Sequence, residues 1–100
     1  MTELTSKQRA YLRSLAHHLK PIIQVGSDGV TDALLKTVEE AFNTRELLKV
    51  KVLEGAPEGP REAGDRIAAA LEAVEVPQTI GRTVVLYRPH PEDPEIRLPK

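Results

Sequence analysis

Four consecutive residues, Gly26-Ser27-Asp28-Gly29, have the spacing in this sequence best suited to holding a ligand. Glycines at both ends leave the backbone N–H groups between them uncovered, and such groups can approach phosphate oxygens closely. The run follows the β-prone stretch Ile22-Ile23-Gln24-Val25 and precedes Val30 and Thr31, a staple residue and an N-cap for a helix. A helix start offers unsatisfied N–H donors and the positive end of the macrodipole, so loop and helix together can form an anion site. A plain strand-to-helix turn with positive φ at glycine would produce the same four residues. Two roles are open to Asp28: its charge would weaken phosphate binding, or its carboxylate would accept N–H groups inside the turn.

Other chemistry is thinly supported. His17 and His18 are adjacent on a predicted helix, so their side chains point about 100° apart and cannot converge on one ion. His90 lies among prolines. No carboxylate pair falls at a recognisable spacing, and the glycine loop lacks the following Lys-Ser or Lys-Thr of a nucleotide-binding P-loop. The absence of cysteine excludes disulfides, thiolate metal sites and cysteine nucleophiles. The expectation is a protein that is not an enzyme and holds no metal or cofactor.

The formal charge of −1 argues against coating nucleic acid through bulk positive charge. The distribution of charge is more informative. From Leu4 to Ser27 the charged residues Lys7, Arg9, Arg13 and Lys20 are all basic, whereas Glu54, Glu58, Glu62, Asp65, Glu72 and Glu75 dominate the stretch that they span. At about 100° per residue, Arg9, Arg13, His17 and Lys20 share the side of the predicted first helix opposite its apolar stripe. One basic end suits a polyanion; ordinary solvated charge is the other reading. The aromatic residues are Tyr11, Phe42 and Tyr87. Tyr11 and Phe42 fall on predicted core stripes, which favours backbone clamping over base stacking on a sheet.

The elements that must position these residues follow from periodicity. One hundred residues, 40% of them hydrophobic, make one domain. A helix over residues 6–19 opens on a Thr5/Gln8 capping box, carries Leu4, Tyr11, Leu12, Leu15 and Leu19 on its stripe, and stops before Pro21. A strand over 22–25 precedes the loop, and a helix over 32–43 follows it, with Leu34, Leu35, Val38, Ala41 and Phe42 facing the core. A strand over 47–53 opposes Leu48, Val50 and Val52 to Lys49 and Lys51. A breaker-rich loop over 54–60 leads to a helix over 61–75. A weak edge strand with Pro77 over 76–80, a Gly81-Arg82 turn and a strong strand over 84–88 complete the order. The predicted fold is a two-layer α/β (α+β) arrangement, helix-strand-helix-strand-helix-strand-strand, with helices packed on a four-stranded mixed sheet. Residues 90–100, rich in proline, should form an extended tail. No apolar run approaches the roughly 20 residues of a membrane span and no apolar leader is evident, so the cytoplasm is the expected location. With every apolar stripe assigned to the core, a monomer is expected.

The combined motifs resemble the CRM domain, the chloroplast RNA splicing and ribosome maturation module. The resemblance rests on Leu4-Thr5-Ser6-Lys7-Gln8-Arg9, Leu12-Arg13-Ser14-Leu15-Ala16-His17, Leu19-Lys20-Pro21 and Val25-Gly26-Ser27-Asp28-Gly29-Val30-Thr31. It continues through Glu46-Leu47-Leu48-Lys49-Val50-Lys51-Val52, Ile80-Gly81-Arg82-Thr83-Val84-Val85-Leu86-Tyr87-Arg88-Pro89 and the tail Ile96-Arg97-Leu98-Pro99, which is similar to the end of bacterial single-domain YhbY-like members. The resemblance implies a CRM RNA-binding domain over residues 1–89, a fold similar to the C-terminal domain of translation initiation factor three, and a KH-like GxxG loop on RNA. It also implies association with ribosomal RNA in large-subunit precursors, hence a ribosome-assembly factor. Carried over, the RNA contacts are Gly26, Ser27, Asp28 and Gly29 with Lys7, Arg9, Arg13, His17 and Lys20, and secondarily Lys49, Lys51, Arg82 and Arg88. The rival reading is a protein-binding adaptor that uses the acidic third helix.

Overall fold

The computed structural model describes residues 4–100. Helix α1 (Ser6–Ala16) opens on a complete capping box, in which the Thr5 hydroxyl accepts the Gln8 N–H at 3.1 Å and the Gln8 carboxamide accepts the Thr5 N–H at 3.0 Å. It ends at Ala16 rather than at Leu19. Pro21 disfavours helical geometry at residue 20, and Ile22 is already committed to the sheet through its N–H to the Lys49 carbonyl. The intervening chain therefore unwinds, with the Leu19 N–H turned back on the Ala16 carbonyl. Lys20 thereby leaves the helical face on which the sequence placed it with Arg9, Arg13 and His17.

The chain continues through β1 (Ile23–Val25), α2 (Asp32–Ala41), β2 (Leu47–Val52), α3 (Pro60–Ala70), β3 (Glu75–Ile80) and β4 (Thr83–Tyr87), in the predicted order. The strands lie β1-β2-β4-β3, with β1 parallel to β2 and the other pairs antiparallel. Pro60 is the first residue of α3, where its missing N–H costs nothing. The helix stops at Ala70, short of the predicted residue 75, because the connection turns through Ala73 at φ 60° to bring Glu75 into β3.

Alternation along the strands divides the core. Leu48, Val50 and Val52 of β2, with Val84 and Leu86 of β4, face Val38 and Phe42 from the α2 side and Ala63 and Ile67 of α3. Gly64 permits this approach, since a Cβ there would stand 2.8 Å from Cγ1 of Val84. On the other face, Leu47, Val85 and Tyr87 meet Leu12 and Ala16 of α1, with Leu4, Ile96 and Leu98 packed beside them. The two layers expected from the sequence are the sheet and the α2/α3 pair; α1 and the tail add a partial cover on the opposite face.

That cover is too narrow to absorb the α1 stripe. Tyr11, Leu15 and Leu19 are 37–38% exposed, and Ile22 is 50% exposed. Tyr11 is therefore not a core residue, which corrects the sequence expectation. Apolar surface remains uncovered there, so the complete burial of stripes from which a monomer is expected is not found.

The segment after Pro89 forms no helix or strand and is fastened to the body. The buried Glu46 carboxylate accepts the N–H groups of His90 at 2.6 Å, Glu95 at 2.8 Å and Ile96 at 2.7 Å. Further along, the Gln8 carboxamide donates to the Pro99 carbonyl at 3.1 Å.

Candidate functional site

The glycine loop joins the end of β1 to the start of α2. A 2.9 Å hydrogen bond from the Gly29 N–H to the Gly26 carbonyl closes it into a tight turn. Gly29 is the residue that the turn demands, with φ at 73°. Gly26 has no such need: a Cβ there would meet nothing within 4 Å. The missing side chain at Gly26 therefore opens the mouth of the turn, whereas that at Gly29 makes the turn possible. Ser27 and Asp28 stand exposed at the tip. Among the described residues, neither of their N–H groups is engaged and the Asp28 carboxylate accepts no hydrogen bond. The role of internal acceptor, left open for Asp28, is thus not taken up.

Behind the turn lies a residue that the sequence did not single out. Glu58, 5% exposed, accepts the Val30 N–H at 3.3 Å and pairs with Arg66 at 2.7 Å. Its Oε1 is buried with no hydrogen-bond partner among the described residues. The positive end of α2 faces this carboxylate and offsets part of the cost of burying it. Thr31 caps the helix as predicted, its hydroxyl accepting the Leu34 N–H at 3.1 Å. The inner side of the helix start is thus occupied by protein groups, whereas the N–H groups of the exposed Ser27 and Asp28 carry no partner among the described residues.

In front, a shallow groove of about 360 Å³ runs over Gly26, Ser27, Asp28 and Gly29 between Gln24 of β1 and Thr31, Leu34 and Thr37 on the α2 side. Its lining joins the glycine turn to polar Gln24, Thr31 and Thr37 and to apolar Ala33 and Leu34, a surface that can accommodate a sugar-phosphate strand. Gln24 and Thr37 were not predicted as site residues. The signal for Gln24 was present, because it alternates with Ile23 and Val25 in a strand that buries them.

The predicted basic residues divide into separate groups. Lys51 is exposed and stands in register with Gln24, the strand residue that lines the groove. Lys49 donates from Nζ to the Leu19 carbonyl at 3.0 Å, tying the α1–β1 connection to the sheet. Arg82 donates to the carbonyls of Val52 and Leu53, both at 2.7 Å, and caps the end of β2. Arg88 pairs with Glu39 at 2.8 Å and lies 5.7 Å over the Phe42 ring, at the end of β4 remote from the loop. Lys20 sits before β1 and the loop after it, so a strand separates them. His17 packs its ring edge-on against His18 at 5.3 Å, with both residues exposed. Lys7, Arg9 and Arg13 are exposed on α1, across the sheet from α2. Arg9 and Arg13 line a cleft against β3, at the opposite edge of the sheet from β1. The basic residues expected to contact RNA together with the loop are therefore spread over separate surfaces of the fold.

The architecture places the chain among α+β proteins built on a mixed four-stranded sheet. Within that class it belongs to the CRS1 / YhbY (CRM) domain family, whose family model matches residues 4–88. It is 44% identical over 96 residues to the probable RNA-binding protein YqeI of Bacillus subtilis, covering 96% of this chain and 99% of that one. It is 42% identical over 100 residues to an RNA-binding protein of Haemophilus influenzae, covering 100% and 99%. The solution structure of the hypothetical protein SAV1595 from Staphylococcus aureus superposes with a TM-score of 0.80 at 39% identity, covering 97% of this chain and 100% of that one. The family and the fold expected from the sequence are both established.

Proposed function

We propose that the chain binds RNA through the groove at Gly26-Ser27-Asp28-Gly29, holding the sugar-phosphate backbone of a single-stranded segment on the N–H groups of Ser27 and Asp28. The observation that carries this reading is the loop itself: two backbone donors without a partner among the described residues, at an exposed turn that lines a groove. The names of its relatives from Bacillus subtilis and Haemophilus influenzae support RNA as the ligand class. The protein acts by binding alone, without catalysis, in the cytoplasm, and its RNA is ribosomal RNA in precursors of the large subunit.

Replacing Ser27 by Asp tests the clamp. Ser27 is exposed, so the fold should persist while a second carboxylate repels the backbone. RNA binding should be lost with an unchanged melting temperature; undiminished binding by the folded variant rejects the clamp. Sedimentation of cell extract with RNA crosslinking tests the assembly role. Crosslinks should appear in large-subunit precursor fractions, and their absence there rejects that role.

A further inference from the structure

Arg9 and Arg13 of α1 and Arg61 of α3 converge on a cleft of about 530 Å³ along the outer strand β3. Nothing in the spacing of residues joins Arg61 to the other two, and α1 and α3 lie on opposite faces of the sheet. They meet because both helices border the same edge. The ion pairs among the described residues are Arg66 with Glu58 and Arg88 with Glu39, so none of the three cleft arginines is paired with a described carboxylate. All three are exposed. An edge strand lined by unpaired guanidinium groups is a phosphate-binding arrangement, because the planar fork of arginine matches phosphate oxygens in pairs.

We infer that this cleft is a second RNA-backbone site, separate from the glycine loop, so that one RNA strand is gripped at both outer edges of the sheet. The inference rests on the RNA-binding reading of the loop. Strand order β1-β2-β4-β3 sets the two sites apart by three strand spacings, about 14 Å, so a ligand must be long enough to reach both. Asp65 and Glu75 line the same cleft, leaving three arginines against two carboxylates, an excess of one positive charge. A small free anion gains little from that excess. A polyanion already held at the loop gains more, because its phosphates are presented to the arginines at high effective concentration. Arg9 and Arg13 therefore serve RNA from the β3 edge rather than beside the loop.

The experiment compares two RNA probes on the full chain: a single strand of about 16 nucleotides and a tetranucleotide that fills the loop groove alone. In the variant with Arg9→Gln, Arg13→Gln and Arg61→Gln, affinity for the long strand should fall about tenfold or more, and the log-log salt slope should become shallower by about 1.4–2.1, the loss of two or three phosphate contacts at about 0.7 each. Tetranucleotide binding, followed by amide NMR shifts of residues 26–29, should not change. Equal affinity and salt slope for the long strand in the triple variant overturn the second site. If the triple variant loses the tetranucleotide as well, the sites are not separate and the inference also fails. Failure of the unsubstituted chain to bind either probe rejects the proposed function itself. Retention of long-strand binding by a Ser27→Asp variant, with loss in the triple arginine variant, rejects the loop clamp and leaves the cleft as the principal site.

Discussion

Gly29 and Glu58 are fitted against each other, so that a Cβ on Gly29 would stand 2.5 Å from Glu58 Oε1 and 2.7 Å from the Cγ of Pro57. The candidate RNA loop is therefore shaped from behind by the connection between β2 and α3. Glu58 cannot swing away freely, since its other oxygen is held by Arg66 and by the Val30 N–H.

This contact separates the two glycines experimentally. Gly29→Ala combines a positive φ with a steric clash and should destabilise the fold by about 2–4 kcal/mol. Gly26→Ala meets open space and should leave stability within about 1 kcal/mol while weakening RNA binding, because the new methyl covers the mouth of the turn. Urea denaturation together with anisotropy titration distinguishes the two effects; equal stabilities of the two variants would contradict this account.

Asp28 projects a free carboxylate from the tip of the same turn. A unit charge about 5 Å from a phosphate costs roughly 0.8 kcal/mol at the dielectric of water, less with salt. Asp28→Asn should accordingly raise RNA affinity up to about fourfold at low ionic strength, with the gain shrinking as salt is added. Titrations at two salt concentrations check both the sign and the trend.

Glu46 holds three backbone N–H groups of the segment after Pro89. Glu46→Ala should release this segment and cost about 2–4 kcal/mol, since three part-buried donors lose a charged acceptor. Hydrogen exchange should show residues 90, 95 and 96 losing protection ahead of the sheet. Protection that persists in the variant would mean that the apolar contacts of Ile96 and Leu98 suffice to hold the tail.

Tyr87 gives the fold an alkaline limit. Burial raises its phenol above the ordinary 10.0, and the charge of Glu46 raises it further. Below pH 10 the side chain is neutral in folded and unfolded chains alike, and its contribution is fully present. As pH rises from 10 through the higher folded value, the unfolded chain releases the proton first, so stability falls. Denaturation midpoints measured between about pH 9 and about pH 11 should fall more steeply for the unsubstituted chain than for Tyr87→Phe. Parallel curves would exclude Tyr87 as the source.

Local chemistry was readable from residues alone wherever the deciding interaction spans a few positions. The Thr5/Gln8 capping box, the Thr31 cap, the order of elements and the glycine turn all rest on short-range hydrogen bonds and backbone preference. Periodicity also identified the faces of β2, because Leu48, Val50 and Val52 alternate with lysines.

The helix ends were less legible. Ala16 and Ala70 end their helices because the sheet requires extended chain at Ile22 and Glu75, and apolar spacing carries no record of that demand. The same limit applies to the uncovered Tyr11 and Leu15, whose helical spacing matches a buried stripe although the available sheet face is too small to cover them.

The sequence by itself determined the family, the element types and the loop, since each is written in contiguous residues and their spacing. Only the tertiary structure decided which charges share a surface. Strand order sent Arg9 and Arg13 to the β3 edge beside Arg61, away from Gly26-Ser27-Asp28-Gly29, and chain packing set Glu58 behind the loop. These are contacts between segments distant in the chain, fixed by sheet topology and helix packing, which local periodicity does not encode.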